Sequence, residues 1–192
     1  MKRLCLVIIS VLLLLSCKKD PAKLKAYDNK LVLDLPNAYL IGYKNLDSTN
    51  EMFKQGTLEL LDDLYIDGQP FVFYMGFAGC PYCQDLAPAL LDVAREYDVP
   101  VVYIDVDALW DDFEAPIGET IKNTYYKELE LDDDGEKAFF FPFVVFVKNQ
   151  KVLFSNIGTV ASHDAHKGPL NEKETQKLKN LLGKGFTKLL SD

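Results

Sequence analysis

The chain is poor in cysteine and in basic residues for its length. Four cysteines occur among 192 residues, too few for a scaffold held together by disulfides. Lysine and arginine number 21 against 29 aspartate and glutamate, and the pI is about 4.8. Because nucleic-acid phosphates need a basic surface, we expect no nucleic acid among the partners. The hydrophobic content of 48% is ordinary for a folded domain.

The sequence also lacks a hydrophobic run long enough to cross a bilayer. Its most apolar stretch, residues 4–15, has twelve residues and is interrupted by Ser10, whereas a spanning helix needs about 20. Lys2 and Arg3 precede this stretch. A short apolar run after a positive start is typical of a secretory signal peptide.

The apolar run ends in Leu14-Leu15-Ser16-Cys17, which resembles the lipobox of bacterial lipoproteins. In that family a peptidase cleaves before the cysteine, whose sulfur carries a diacylglycerol. The resemblance implies a signal peptide at 1–16 that is removed, a lipidated Cys17 and a tether over 17–30. It also implies a protein anchored to a bacterial membrane on its extracytoplasmic side. A secretory peptide with an incidental cysteine, or a short anchor, is the alternative. Cleavage leaves 19 basic and 29 acidic residues, a net charge of −10.

The remaining sequence, residues 31–192, alternates between strand and helix patterns and predicts one α/β domain. Continuous apolar runs predict strands that are covered on both faces, and polar capping residues predict helix starts. The predicted strands lie at 31–35, 38–43, 71–75, 99–106, 143–147 and 151–157; the predicted helices run from Ser48 to about Tyr65, from about Cys80 to about Tyr97, and from Asn171 towards the end of the chain.

The motif Cys80-Pro81-Tyr82-Cys83 lies between a predicted strand and a predicted helix. Two intervening residues allow the two sulfurs to meet across one helical turn. A thiol at a helix N-terminus is close to unpaired backbone N–H groups, which favour the reactive thiolate. The pattern therefore favours a redox-active pair of cysteines. A structural zinc site that also uses His163 and His166, or an inert disulfide, are the alternatives.

Residues 71–157 resemble the thioredoxin superfamily. The motif follows a buried strand, Pro88 lies in the following helix, and Phe141-Pro142 precedes a strand, a turn and another strand. The resemblance implies a three-layer fold with a central mixed sheet of four to five strands between helices. It also implies a cis peptide bond between Phe141 and Pro142 near the cysteines, and an acidic helical insertion at about 108–138 before that proline.

The resemblance further implies a protein-disulfide oxidoreductase in which Cys80 is the nucleophile and Cys83 resolves the mixed disulfide. Pro81, Tyr82, Phe141 and Pro142 would contact the substrate, and no cofactor other than the Cys80–Cys83 disulfide is expected. We expect a monomer whose partners are the thiols or disulfides of exported proteins and a further redox protein. Lipid-anchored thioredoxin-like proteins of the bacteriocin-transport accessory type are similar. An accessory, binding or metal-delivery module with little redox turnover is thus the alternative.

Some positions depart from the thioredoxin pattern. Tyr74 and Tyr103 occupy the positions where thioredoxins carry a buried aspartate and a lysine, so the usual proton acceptor for the second cysteine is missing. Asp105 or Glu114 could replace it through water. The motif also lacks the preceding tryptophan, which is Gly79 in this sequence.

The insertion is strongly acidic. Residues 105–136 contain twelve acidic residues and two lysines, and a helix is predicted at 119–131. One interpretation is an acidic, aromatic surface that selects basic partner segments. The other is a solvated insertion in which Trp110 packs into the core. Asp132-Asp133-Asp134 predicts an acidic loop rather than a calcium site, and His163 and His166 are predicted to lie in a polar loop.

Overall fold

The computed structural model describes residues 24–191. The predicted signal peptide, Cys17 and the first part of the predicted tether lie outside these residues. Within the described part, no helix is both long and apolar enough to cross a membrane. The end of the predicted tether contacts the domain, because the Lys25 N–H donates to the Leu190 carbonyl at 3.0 Å and Asn29 is buried.

Eight strands and seven helical segments follow one another between residues 24 and 191. The strands are β1 (Asn37–Tyr39), β2 (Thr49–Gln55), β3 (Phe71–Gly76), β4 (Val101–Asp105), β5 (Glu130–Leu131), β6 (Lys137–Ala138), β7 (Phe143–Lys148) and β8 (Lys151–Ile157). The α-helices are α1 (Lys30–Leu33), α2 (Leu58–Asp67), α3 (Pro81–Tyr97), α4 (Trp110–Glu114), α5 (Pro116–Thr124) and α6 (Glu172–Leu190), with one 3-10 turn at Tyr126–Glu128.

Six strands form one mixed sheet in the order β1-β2-β4-β3-β7-β8. Strands β2, β4 and β3 run parallel, while β1, β7 and β8 pair with their neighbours in antiparallel fashion. The five strands from β2 to β8 have the order and connections of the predicted thioredoxin-like sheet. Strand β1 adds a sixth strand at the edge, through pairing of Asn37 with Lys54.

Helices cover both faces of the sheet, as the apolar strands predict. Along β3, Val72 and Tyr74 face the core shared with α3 and α6. The alternating residues Phe71, Phe73 and Met75 face the other core, which includes side chains of α2 and α5. Every residue of β3 is buried, so the strand that leads to the cysteine motif is fixed from both sides.

The helix predicted from Ser48 was wrong over its first half. Thr49–Gln55 is strand β2, which pairs in parallel with β4, and helix α2 begins only at Leu58. Thr57, whose hydroxyl accepts from the Leu60 N–H at 3.2 Å, is the actual cap. Pairing with a central strand outweighs the local Ser48–Glu51 capping pattern, because propensity is a weak prior beside tertiary contacts.

The first predicted strand was also wrong. Residues 31–35 lie mostly in the short helix α1, which starts after Asn29. The Asn29 side chain accepts from the Val32 N–H at 3.3 Å and donates to the Pro70 carbonyl at 3.1 Å. This buried cap fixes a helical turn where the apolar pattern alone indicated a strand. The second predicted strand, 38–43, is only partly strand and ends at Tyr39.

Several other sequence predictions are confirmed. Helix α3 starts at Pro81 and contains Pro88. Helix α6 starts with the predicted capping box of Asn171 and Glu174. The Phe141–Pro142 peptide bond is cis. In the insertion, the helix predicted at 119–131 instead spans Pro116–Thr124, because a proline at its first turn defines an earlier start.

The packing of α6 on the sheet generates a paired prediction. A β-carbon at Gly185 would overlap the Phe146 ring, whereas one at Gly183 would have its nearest contact at 3.5 Å. Replacing glycine by alanine inside a helix stabilises by about 1 kcal/mol when space allows, and overpacking costs about 1–3 kcal/mol. We therefore expect Gly183→Ala to raise the free energy of unfolding measured in urea. Gly185→Ala should lower it relative to Gly183→Ala, and equal values would contradict the close contact with Phe146.

Candidate active site

Cys80 and Cys83 lie at the junction between β3 and α3. Strand β3 ends at Gly76, and after a short loop the Cys80 N–H donates to the Phe77 carbonyl at 3.2 Å. Cys80 then occupies the N-cap position of α3, where its Sγ accepts from the backbone N–H of Cys83 at 3.2 Å. The sulfur thus takes the place that a serine or aspartate oxygen holds at other helix starts. No disulfide joins Cys80 and Cys83 in this structure.

The surroundings of Cys80 favour its thiolate. A hydrogen bond from the Cys83 thiol is the largest cause, burial opposes it, and backbone N–H groups of Cys83 and Tyr82 add to it. Together they lower the pKa of Cys80 to about 7 from an ordinary value of 9.0. At neutral pH, Cys80 is therefore a nucleophilic thiolate in a substantial fraction of the molecules. Cys80 keeps 7% of its surface exposed.

Cys83 has the opposite properties. It has no exposed surface, and its hydrogen bond to Cys80 together with burial raises its pKa well above the ordinary value. Cys83 thus remains a thiol while Cys80 ionises. Attack by Cys80 and resolution by Cys83 would require an asymmetry of this kind, and the assignment of these roles stays a prediction.

The cis-proline segment lies directly beside the nucleophile. Pairing of Met75 with Phe143 brings the start of β7 to the end of β3. The carbonyl oxygen of Phe141 lies 3.8 Å from the Cys80 Sγ, and the Pro142 carbonyl accepts from a backbone N–H at the end of β8. The structure thus brings Phe141 and Pro142 next to the cysteines, although they are about 60 residues away in sequence.

Tyr82 is held between two histidines. Its ring centroid lies 5.9 Å from that of His163 and 5.8 Å from that of His166, both nearly perpendicular. The His163 side chain is 4% exposed, and its Nε2 donates to the Asp85 carboxylate at 2.8 Å. Both histidines lie in the loop predicted for them, between β8 and α6. The contact of this loop with the cysteine motif was not predicted, since nothing in the sequence links segments about 80 residues apart. Pro81 remains exposed at the first position of α3.

A cluster of three tyrosines lies in the same core as Cys83. The Tyr43 hydroxyl lies 2.8 Å from that of Tyr74 and 3.4 Å from that of Tyr103. The departures from the thioredoxin pattern indicated Tyr74 and Tyr103, but not Tyr43, which comes from the segment after β1. Asp105, expected as a substitute proton acceptor, receives the backbone N–H groups of Asp107 and Ala108 at 3.2 and 3.3 Å.

The insertion reaches the edge of this site through Phe113. The Phe113 ring lies 5.5 Å from Phe139 and 6.2 Å from Phe141, measured between centroids. The expectation that Trp110 packs into the core was wrong, because Trp110 is 56% exposed. Helix α4 has only five residues and turns Phe113, not Trp110, towards the interior.

No metal site accompanies the cysteines in the described part of the chain. Within residues 24–191, no three or more His, Cys, Asp or Glu side chains are grouped so that they could hold an ion. The zinc alternative required such a group from both cysteines and both histidines. The acidic loop at 132–134 has a structural use, since the Asp132 carboxylate accepts from the N–H groups of Asp134 and Glu136 at 3.0 and 2.9 Å.

Comparison with known proteins found similarity among solved structures only. No protein-family model and no curated protein matches the chain. Thioredoxin O1 from Arabidopsis thaliana is 20% identical over 69% of this chain and 96% of its own, with a TM-score of 0.42. Thioredoxin O2 from the same plant is 18% identical over 60% and 87%, with a TM-score of 0.39. The oxidised thioredoxin from Plasmodium falciparum is 12% identical over 68% and 96%, with a TM-score of 0.39.

These identities are below 25% and the TM-scores below 0.5, so the fold is assigned from this chain's own topology. The strand order β2-β4-β3-β7-β8, the cysteine motif at the start of α3 and the cis-Pro142 before β7 occur together. The chain has a thioredoxin-like fold.

The lowered pKa of Cys80 predicts how its reactivity depends on pH. A thiolate reacts and a thiol does not, so the rate of alkylation by iodoacetamide should rise with pH through a midpoint near 7 and then level off. Cys83→Ala removes the largest cause of the shift, and we expect the midpoint to move up towards 9.0. The measurement uses chains carrying Cys5→Ser and Cys17→Ser. An unchanged midpoint in Cys83→Ala would rule out the Cys83 thiol as the cause.

Proposed function

We propose that this protein is a thiol–disulfide oxidoreductase that acts on exported proteins while a lipid on Cys17 anchors it to a bacterial membrane. The observation that carries the proposal is the pair of unequal sulfurs at the start of α3. Cys80 has a pKa lowered to about 7 and keeps a small exposed surface, while Cys83 is fully buried and has a raised pKa. In such a pair, one sulfur is suited to attack a substrate disulfide and the other to resolve the mixed disulfide that forms.

The proposed reaction is a two-electron exchange. The Cys80 thiolate attacks a substrate disulfide, forms a mixed disulfide and releases one substrate thiolate. Cys83 then gives up its proton and attacks the Cys80 sulfur, which forms the Cys80–Cys83 disulfide and releases the second substrate thiolate. The substrate is reduced and the protein oxidised. The reverse sequence oxidises a substrate dithiol, and the reduction potential of the pair decides the direction.

The substrate would bind along the cis-proline segment. The Phe141 carbonyl is 3.8 Å from the Cys80 Sγ, so a chain bound at the sulfur passes close to the backbone of Phe141 and Pro142. The exposed Pro81 and the half-buried Tyr82 border the same sulfur on the helix side. No cofactor is needed, because the two sulfurs themselves store the electrons. The protein would work as a monomer with a separate redox partner.

The resolving role of Cys83 can be tested by trapping. Cys83→Ala removes the thiol that releases the mixed disulfide, so we expect exported proteins to accumulate on Cys80. They should appear on non-reducing gels as bands that dithiothreitol removes. Cys80→Ala is the matched control and should trap nothing. The wild-type chain should also accelerate the reduction of insulin by dithiothreitol, and either variant should lose most of this activity. An absence of both trapped proteins and turnover would favour the accessory or binding module.

The anchor can be tested separately. Cys17→Ser removes the sulfur that would carry the diacylglycerol, so we expect no incorporation of labelled palmitate and release from the membrane fraction. Cys5→Ser changes a cysteine of the same segment that would leave with the signal peptide, and should retain both label and anchoring. Palmitate labelling of Cys17→Ser would contradict the proposed attachment site.

A further inference from the structure

Three buried hydroxyl groups form a chain beside Cys83. Tyr43 connects Tyr74 and Tyr103 through the 2.8 and 3.4 Å contacts, and the Tyr103 hydroxyl donates to the Gly76 carbonyl at 3.2 Å. All three rings and Cys83 belong to one core. Tyr74 and Cys83 are both buried in this core, and a hydrogen bond from the Tyr74 hydroxyl is one of the causes that lower the pKa of Cys83. The chain therefore extends from the resolving sulfur to the end of β3.

The number of hydroxyl protons fixes the direction of the hydrogen bonds among the three tyrosines. Each hydroxyl can donate one proton. Tyr103 donates to Gly76, so Tyr43 must donate to Tyr103, and Tyr74 must donate to Tyr43. In the reduced protein the single S–H of Cys83 is donated to Cys80. Once Cys80 is held in a mixed disulfide and is no longer a thiolate, the lone pairs of Tyr74 are available to accept this S–H, and the hydrogen bonds then all point away from the Cys83 sulfur.

The backbone leaves room for this arrangement. A β-carbon at position 76 would overlap the Tyr74 hydroxyl oxygen. Only glycine at this position allows the hydroxyl to remain where it meets Tyr43. The cluster thus fits the strand that leads directly to the cysteine motif.

We propose that Tyr74, oriented by Tyr43 and Tyr103, is a positioning residue that holds the Cys83 thiol in the mixed disulfide and then stabilises its thiolate during resolution. When Cys83 has lost its proton, which ends up in the buffer, the hydroxyls can turn so that Tyr103 donates to Tyr43, Tyr43 to Tyr74, and Tyr74 to the sulfur. No bond to carbon or sulfur is made or broken in this reorientation. The inference rests on the proposed exchange reaction, since it assigns a group to one of its steps.

The electrostatics agree with hydrogen bonding rather than with base catalysis by these tyrosines. Burial raises the pKa of each of the three hydroxyls, so they stay protonated at neutral pH. The hydrogen bond from Tyr74 lowers the pKa of Cys83 against the larger effects that raise it. The elements packed against the Cys83 sulfur bring five titratable groups near it. They are Cys80 on α3, Tyr74 on β3, Tyr43 after β1, and Tyr103 with the more distant Asp105 on β4.

The two steps can be timed separately with dithiobis(nitrobenzoate). The reduced full chain, carrying Cys5→Ser and Cys17→Ser, is mixed with one equivalent of this disulfide. Attack by Cys80 releases one coloured thiolate and leaves the other on Cys80. Attack by Cys83 then releases the second, forms the Cys80–Cys83 disulfide and gives one proton to the buffer. The first phase reports Cys80 and the second reports resolution.

We expect Tyr74→Phe to slow the second phase about tenfold or more, since a hydrogen bond to a charged group is lost. The pH profile of that phase should move to higher pH, because more base is needed to ionise Cys83. The first phase should remain as in the parent chain. Tyr43→Phe, which removes the link to Tyr74, should change the second phase in the same direction.

Tyr125→Phe is the matched control. Its hydroxyl is buried in the other core and has no hydrogen-bond partner among residues 24–191, so both phases should be unchanged. If Tyr74→Phe leaves the rate and pH profile of the second phase unchanged, the inference is wrong even though the exchange reaction stands. If the parent chain releases only the first thiolate, Cys83 does not resolve, and the proposed function itself fails.

Discussion

The geometry of the site depends on the hydrogen bond from the Cys83 N–H to the Cys80 sulfur at the start of α3. Helix starts have backbone N–H groups without helical partners, and here a sulfur accepts one of them at 3.2 Å. This requires Cys80 at the cap position and therefore requires β3 to end at a fixed place. Burial of β3 from both faces of the sheet provides that fixed end.

The same geometry makes the two sulfurs unequal. One helical turn separates the two cysteines, yet Cys80 keeps a small exposed surface and Cys83 has none. The hydrogen bond between the two thiols favours charge on the outer sulfur and disfavours it on the inner one. When Cys80 is held in a mixed disulfide, the inner sulfur loses this partner, and in the proposed role Tyr74 then accepts the S–H of Cys83 and afterwards donates to its thiolate.

The sequence was sufficient to predict the layers and the position of the motif at a helix start, because local patterns determine both. It was also sufficient for the cis-proline, because few other backbone arrangements accept a proline at the start of that strand. It was insufficient for β2, where Ser48 and Glu51 resemble a helix cap but pairing with β4 determines the strand. It also missed Tyr43 and the position of His163. Both act through contacts between distant segments, which leave no periodic signal in a single sequence.

The aromatic contacts of Phe141 extend from the acidic insertion to the surroundings of Cys80. Phe141 contributes its carbonyl to the nucleophile's surroundings and its ring to the packing of Phe113 and Phe139. Phe141 thereby joins the acidic insertion to the two cysteines. A displacement of α4 that moves the Phe113 ring would act directly on the residue whose backbone lies beside the Cys80 sulfur.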